Sequence, residues 1–76
     1  MAIEALAEKY IALCYAHGLT NVKSIVPVEY RLNTNQHKVM NGVVKMKVIT
    51  NTGKTIMIGH VDEFSYADNL QTLKAL

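Results

Sequence analysis

Cys14 and His17 have the residue types and the spacing that could hold a metal ion or form a nucleophile with its base. Three residues apart on a helix, a thiol and an imidazole share one face, and His60 with Asp62 could complete a zinc-binding set. A structural zinc site normally has a second closely spaced Cys/His pair, and this sequence has a single cysteine. We therefore predict that Cys14 is a buried, unmetallated and unreactive thiol.

The rest of the sequence offers little else for catalysis. It contains no glycine-rich phosphate loop, no hydrolase-type nucleophile motif and no paired carboxylates in a plausible cleft. A chain of 76 residues also has little core to spare for a deep cleft. We expect one domain over residues 1–76 that is not an enzyme and uses no cofactor or metal.

Positive charge is concentrated in the middle of the chain. Residues 20–60 carry six lysines and arginines against one glutamate, Glu29, whereas residues 1–19 and 61–76 are mildly acidic. Such a basic segment suits contact with phosphates or with an acidic protein surface. It also suits a solvated sheet face, because lysines on strands discourage edge-to-edge pairing.

The elements that must position these residues can be predicted from periodicity and turn signals. Residues 2–17 are predicted as a helix whose apolar stripe includes Ile3, Leu6, Tyr10, Leu13, Cys14 and His17. Gly18 is expected to end this helix in a left-handed conformation, with Leu19 making the apolar contact that follows such a cap.

Residues 25–32 alternate as a strand, and Pro27 predicts an edge position because proline cannot donate to a ladder. We expect one set of its side chains to face the core: Val26, Val28, Tyr30 and Leu32. Residues 33–42 are polar and are predicted as a loop that ends at Asn41-Gly42. The alternative is a tight turn at Asn41-Gly42 with a short strand over 37–40.

Residues 43–50 and 54–61 are predicted as a hairpin closed by the three-residue loop Asn51-Thr52-Gly53, with Gly53 left-handed. This loop sets a register in which Val44 is opposite His60, Lys45 opposite Gly59 and Lys47 opposite Met57.

A second helix is predicted over about 65–76, with Ser65 as N-cap, Asp68 completing a weak capping box, and Tyr66, Leu70 and Leu73 facing inward. The order α-β-β-β-α is typical of an α+β fold in which two helices cover one face of a three-stranded antiparallel sheet.

The uncovered sheet face is the predicted partner-binding site. On the register above it displays Glu29 and Thr55 together with the residues predicted to contact a partner: Arg31, Lys45, Lys47, Ile49 and Met57. Two apolar side chains among cations are typical of a contact surface, because solvation alone does not explain them. The register is critical, since a slip by one residue would exchange the two faces.

The order of elements is similar to that of double-stranded-RNA-binding domains. That resemblance implies a basic cluster at the start of the last helix, where it would grip phosphates. The matching residues 62–68 instead contain Asp62, Glu63 and Asp68, which argues against this mode of RNA binding.

From these features we predict a small non-enzymatic module that binds another protein with an acidic surface, as an inhibitor or adaptor of the kind that phages and mobile elements encode. The alternative is a nucleic-acid-binding domain that uses the basic sheet face, and a third reading is a structural homodimer. One cysteine, no leader-like start and no apolar run of about 20 residues lead us to expect a cytoplasmic protein without membrane contact.

Overall fold

A computed structural model describes residues 3–34 and 40–76, and the side chains of all of these except 31–34, 40 and 41. The elements follow one another in the order α-β-β-β-α, as α1 Ile3–Ala16, β1 Val22–Thr34, β2 Met40–Thr50, β3 Thr55–His60 and α2 Phe64–Lys74. The strands form one antiparallel sheet in which β2 is central. The predicted fold, an α+β domain with two helices on one face of a three-stranded sheet, is confirmed.

Helix α1 forms and ends as its sequence predicts, with one exception. Leu6, Ala7, Tyr10 and Cys14 recur at helical spacing and are buried, while Ile3 and Leu13 are partly covered. Gly18 has a φ of 67°, and two hydrogen bonds close the end, from Gly18 N to Tyr15 O and from Leu19 N to Cys14 O. The prediction that His17 belongs to the apolar stripe is wrong: the helix ends before it and its side chain is exposed.

The hairpin of β2 and β3 has the predicted register. Val44 is opposite His60, Lys45 opposite Gly59 and Lys47 opposite Met57. Gly53 has a φ of 85°, which a residue with a side chain rarely adopts, and Thr50 N donates to Lys54 O across the loop at 2.8 Å. Because the loop fixes the pairing, every second residue of β2 from Val44 to Thr50 is buried.

Strand β1 lies at the edge of the sheet, as Pro27 indicates, but it does not alternate simply. Pro27 is opposite Met46 and Glu29 is opposite Lys45, so Val28 is an extra residue that forms a β-bulge. The bulge reverses the alternation: Tyr30 lies on the helix-covered side opposite Val44, whereas before the bulge that side is taken by Ile25 and Pro27. The prediction that Val26 and Val28 face the core is therefore wrong, and they are 45% and 53% exposed.

The predicted loop over 33–42 is also wrong at both of its ends. Strand β1 continues to Thr34, and β2 begins at Met40, opposite Thr34. Asn41 and Gly42 are strand residues rather than a turn, so the alternative hairpin turn is wrong as well. Residues 35–39 lie outside the described part of the chain. The pairing of β1 with β2 thus continues past Val44 and His60, the last pair of β2 with β3, as a two-stranded arm.

Helix α2 begins one residue earlier than predicted and is not capped by Ser65. Its N-cap residue, Glu63, makes no side-chain capping bond. Instead, Asp62 Oδ1 accepts from Phe64 N at 3.0 Å, and Ser65 Oγ accepts from the N–H groups of Val61 and Asp62 at 3.0 and 3.3 Å. The Ser65 side chain therefore stabilises the turn that precedes the helix rather than the helix end itself.

One hydrophobic core lies between the helices and the sheet. Helix α1 packs on β1, α2 packs on β3, and the two helices touch each other. The buried apolar residues come from all five elements: Leu6, Ala7, Tyr10, Cys14, Ile25, Val44, Met46, Val48, Ile58 and Leu73. The sheet face opposite the helices is left without a cover from the described residues.

We expect Leu6→Ala to lower the free energy of unfolding by about 2–5 kcal/mol, because Leu6 is 2% exposed and its removal leaves a cavity. Ile11→Ala on the same helix is the matched control, since Ile11 is 43% exposed and should cost less. Urea denaturation followed by circular dichroism measures both. Equal losses for the two variants would show that α1 does not pack through Leu6.

Candidate functional site

The first candidate site is the uncovered side of the sheet, which we call the open face. It is arranged in rows across the three strands: Ser24, Ile49 and Thr55; then Val26, Lys47 and Met57; then Glu29, Lys45 and Gly59. Lys45, Lys47 and Met57 are exposed and Ile49 is partly buried, so four of the five predicted contact residues lie on one surface. The fifth, Arg31, is opposite Val43 in the ladder, and its side chain is outside the described part.

Val26 belongs to the open face, and sequence reasoning missed it. The bulge at Val28 turns Val26 away from the core and places it beside Lys47, with Met57 on the far side of that lysine. Val26 is 45% and Met57 is 51% exposed, so two half-exposed apolar side chains flank one cation. The Pro27-Val28 pair could have signalled the bulge, because proline in a strand interior often accompanies one.

The two lysines of the open face have different cross-strand neighbours. Glu29 lies directly opposite Lys45, in the position where opposite charges attract across a ladder. Lys47 has Val26 and Met57 as its cross-strand neighbours instead. Among the described side chains of the open face, Lys47 is therefore the lysine without a carboxylate directly opposite it.

The second candidate site is a groove of about 430 Å³ on the opposite, helix-covered side. It lies where the two-stranded arm leaves the sheet, between α1, α2 and the turn before α2. Its walls are formed by residues of all these parts: Lys9, Tyr30, Gly42, Val44, His60, Val61, Asp62, Glu63 and Tyr66. Nothing in the local sequence pattern predicts this groove, because its walls come together only when the helices pack.

Gly42 lets Tyr30 form one wall of this groove. A Cβ atom added at Gly42 would lie 2.9 Å from Tyr30 Cζ, which is closer than real contacts allow. The ring of Tyr30 therefore lies against the backbone of β2 at a position that only glycine leaves open. Tyr30 is nevertheless 51% exposed, so its other side faces solvent at the groove.

His60 lies at the inner side of the groove and is held by buried hydrogen bonds. Asn69 Nδ2 donates both to Gly59 O and to Tyr10 Oη, at 2.9 Å each. Tyr10 Oη is 2.7 Å from His60 Nδ1, and since Tyr10 accepts from Asn69 it can donate its proton to this nitrogen. The proton of the neutral imidazole is then on Nε2.

The rings of Tyr10, His60 and Tyr66 form an aromatic cluster around these bonds. The His60 and Tyr66 centroids are 4.6 Å apart, and Tyr10 meets the edge of His60 at 5.6 Å with planes inclined by 80°. Lys9 Nζ lies 4.9 Å from the Tyr66 ring centroid, as in a cation–π contact.

Burial changes the acid–base behaviour of this cluster. Desolvation lowers the pKa of His60 below that of a free imidazole; Asp62 opposes the change and Lys9 adds to it. Desolvation likewise raises the pKa of Tyr10, and the hydrogen bond from Asn69 counteracts part of the rise. Both groups are therefore held in their neutral forms at neutral pH.

Cys14 is buried, as predicted, and burial raises the pKa of its thiol. Among the described residues, no three His, Cys, Asp or Glu side chains come close enough together to hold a metal ion. The set of Cys14, His17, His60 and Asp62 is thus not assembled by this fold.

Comparison with known proteins gave no matching family model, no significantly similar curated protein and no significantly similar solved structure. Within residues 3–34 and 40–76, neither helix is long and apolar enough to cross a membrane.

We expect Cys14 to react slowly with a thiol reagent in the native protein and rapidly after denaturation. It is 3% exposed, and its raised pKa reduces the thiolate fraction at pH 8. Labelling with dithiobis-nitrobenzoate, with glutathione as the reference thiol, measures the rate. A native rate equal to that of glutathione would contradict the burial of Cys14.

The lowered pKa of His60 predicts that the domain loses stability in mild acid. The unfolded chain takes up a proton near pH 6.5, whereas the folded chain does so only at lower pH. Stability is therefore fully present above about pH 6.5 and falls below it, by at most about 1.4 kcal/mol per pH unit from this residue. Urea denaturation between pH 7.5 and 5 measures the slope.

The control for this pH dependence compares two histidines. His60→Gln should flatten the slope, whereas His17→Gln should leave it unchanged, because His17 is exposed. An unaltered slope in His60→Gln would mean that another group is responsible.

Proposed function

We propose that this chain is a small non-enzymatic binding module that contacts an acidic protein through its open face, as an inhibitor or adaptor. The observation that carries the proposal is the row of Val26, Lys47 and Met57. An apolar pair on either side of a cation, on a sheet face that the helices leave uncovered, is the arrangement expected of a contact surface.

The apolar residues of this row would supply affinity. Fully burying a valine or methionine side chain is worth roughly 1.5–3 kcal/mol, and residues that are about half exposed retain about half of this gain. Ile49, partly buried in the neighbouring row, extends the apolar surface toward Thr55. A partner that covers this surface would place these side chains at the centre of the interface, where binding energy is usually concentrated.

The lysines would supply orientation and association rate. Lys45 and Lys47 are exposed and project from the central strand, so they meet an approaching partner first. Charge complementarity across an interface contributes mainly to orientation and association rate, and an acidic partner surface would be the complement of these lysines. A single free, buried cysteine fits the cytoplasm as the setting for this interaction.

Nucleic acid is the less favoured partner on the geometry of the described residues. The described part of the open face has no aromatic side chain on which a base could stack, whereas its half-exposed Val26 and Met57 suit contact with a protein. A homodimer through the same face remains an outcome that a measurement of mass in solution would identify.

A tagged chain used to capture its partner from nuclease-treated extract of the native host tests the proposal. We expect the wild-type chain to retain a partner protein. The double variant Lys45→Glu with Lys47→Glu should associate with that partner at least severalfold more slowly. Ile49→Ser combined with Met57→Ser should instead speed dissociation. Surface plasmon resonance on the purified partner measures both rates.

Two matched controls use exposed residues outside the open face. Lys54→Glu with Lys74→Glu changes the net charge by the same amount, and Tyr15→Ser with Phe64→Ser removes exposed apolar side chains. If both open-face variants bound the partner normally and the control variants did not, the interface would lie outside the open face. Capture that is lost on nuclease treatment, with affinity falling steeply as salt rises, would favour a nucleic-acid partner.

A further inference from the structure

The groove beside His60 has the features of a site built for a ligand. His60 is 6% exposed, and its Nδ1 is fixed by Tyr10, yet its Nε2 has no hydrogen-bond partner among the described residues. No fully buried side-chain nitrogen or oxygen atom in the described part lacks a partner, so Nε2 is accessible to solvent, and His60 is one of the residues that line the groove. A nearly buried ring thus presents one free polar atom to a cavity.

The direction of the hydrogen bond between Tyr10 and His60 follows from the backbone carbonyl of Gly59. The carbonyl of Gly59 accepts only, which fixes Asn69 Nδ2 as a donor and makes Tyr10 Oη the acceptor of its second N–H. Tyr10 is fully buried and its hydroxyl has no other acceptor among the described residues, so its proton is directed to His60 Nδ1 and the neutral imidazole carries its hydrogen on Nε2. The ligand group that faces His60 has to be a hydrogen-bond acceptor.

The other residues that line the groove indicate the shape and the charge of the ligand. The half-exposed ring of Tyr30 and the partly buried ring of Tyr66 line the groove with Val44 and Val61, which suits a flat apolar group. Among the described wall residues, Asp62 and Glu63 outnumber the one cation, Lys9, which disfavours an anion. A cation would satisfy these carboxylates but would leave the Nε2–H without an acceptor once water is displaced.

We propose that the groove binds a small uncharged aromatic molecule whose carbonyl or ring nitrogen accepts a hydrogen bond from His60 Nε2. A volume of about 430 Å³ falls in the range of small-molecule sites. Because the groove and the open face lie on opposite sides of the sheet, this site is independent of the proposed protein interface.

A series of benzene derivatives of nearly equal size tests the chemistry. Benzamide has a neutral acceptor, benzoate is an anion, benzylammonium is a cation without an acceptor, and toluene has no polar group. We expect benzamide to bind saturably with a dissociation constant of about 1–10 mM and the other three to bind about tenfold more weakly. Long-range ¹H–¹⁵N NMR spectra of the histidine rings report binding and show whether the free His60 carries its proton on Nε2.

Variants then locate the site without relying on the buried histidine. Tyr30→Ala and Gly42→Ala should each weaken benzamide binding about tenfold, the second because its new Cβ displaces the Tyr30 ring. The matched controls are Val28→Ala, half-exposed on the same strand, and Tyr15→Ala, which removes a tyrosine ring that is 89% exposed and does not line the groove. Both controls, and the open-face variants, should bind as the wild type does.

Three NMR results would overturn this assignment. They are a free His60 with its proton on Nδ1, no saturable shift of His60 up to the solubility of benzamide, and benzylammonium or benzoate binding as tightly as benzamide. Unchanged binding in both Tyr30→Ala and Gly42→Ala would equally place any bound ring outside the groove.

Discussion

The hydroxyl group of Tyr10 joins three elements that are far apart in the chain. It accepts a hydrogen bond from Asn69 of α2 and contacts His60 of β3. The Tyr10 side chain, which belongs to α1, is fully buried in the core between the helices and the sheet. Asn69 also binds the backbone of β3 at Gly59, so one amide ties the second helix to the sheet and to the first helix. In a core made mostly of apolar contacts, these directional bonds add specificity to the position of α2.

The polar groups of the Tyr10, His60 and Asn69 cluster can be buried because they hydrogen-bond to one another. A tyrosine hydroxyl, an amide and an imidazole are each costly to bury alone, and here each has a partner. Desolvation keeps His60 and Tyr10 neutral, which removes the larger cost of burying a charge. The one position left over, His60 Nε2, is the one that opens onto the groove.

The bulge at Val28 has a comparable influence on the two sides of the sheet. It turns Val26 outward beside Lys47, which adds an apolar side chain to the open face, and it turns Tyr30 toward the helix side, where it forms a wall of the groove. A strand without this extra residue would place Val26 and Tyr30 on the same side. The bulge therefore contributes one residue to each candidate site, Val26 to the open face and Tyr30 to the groove.

By itself the sequence determined the elements whose signals are local. The apolar stripe of α1 and Gly18 defined the first helix, and Gly53 fixed the register of the β2–β3 hairpin, which put Lys45, Lys47 and Met57 on one side of the sheet. Only the tertiary structure decided the length of β1, the bulge and the groove. Asn33, Asn41 and Gly42 have weak strand propensity and pair because the partner strand supplies their hydrogen bonds. Asn69 reads as a solvent-facing helix residue, and it is buried because Tyr10 and Gly59, 59 and 10 residues away along the chain, supply its partners.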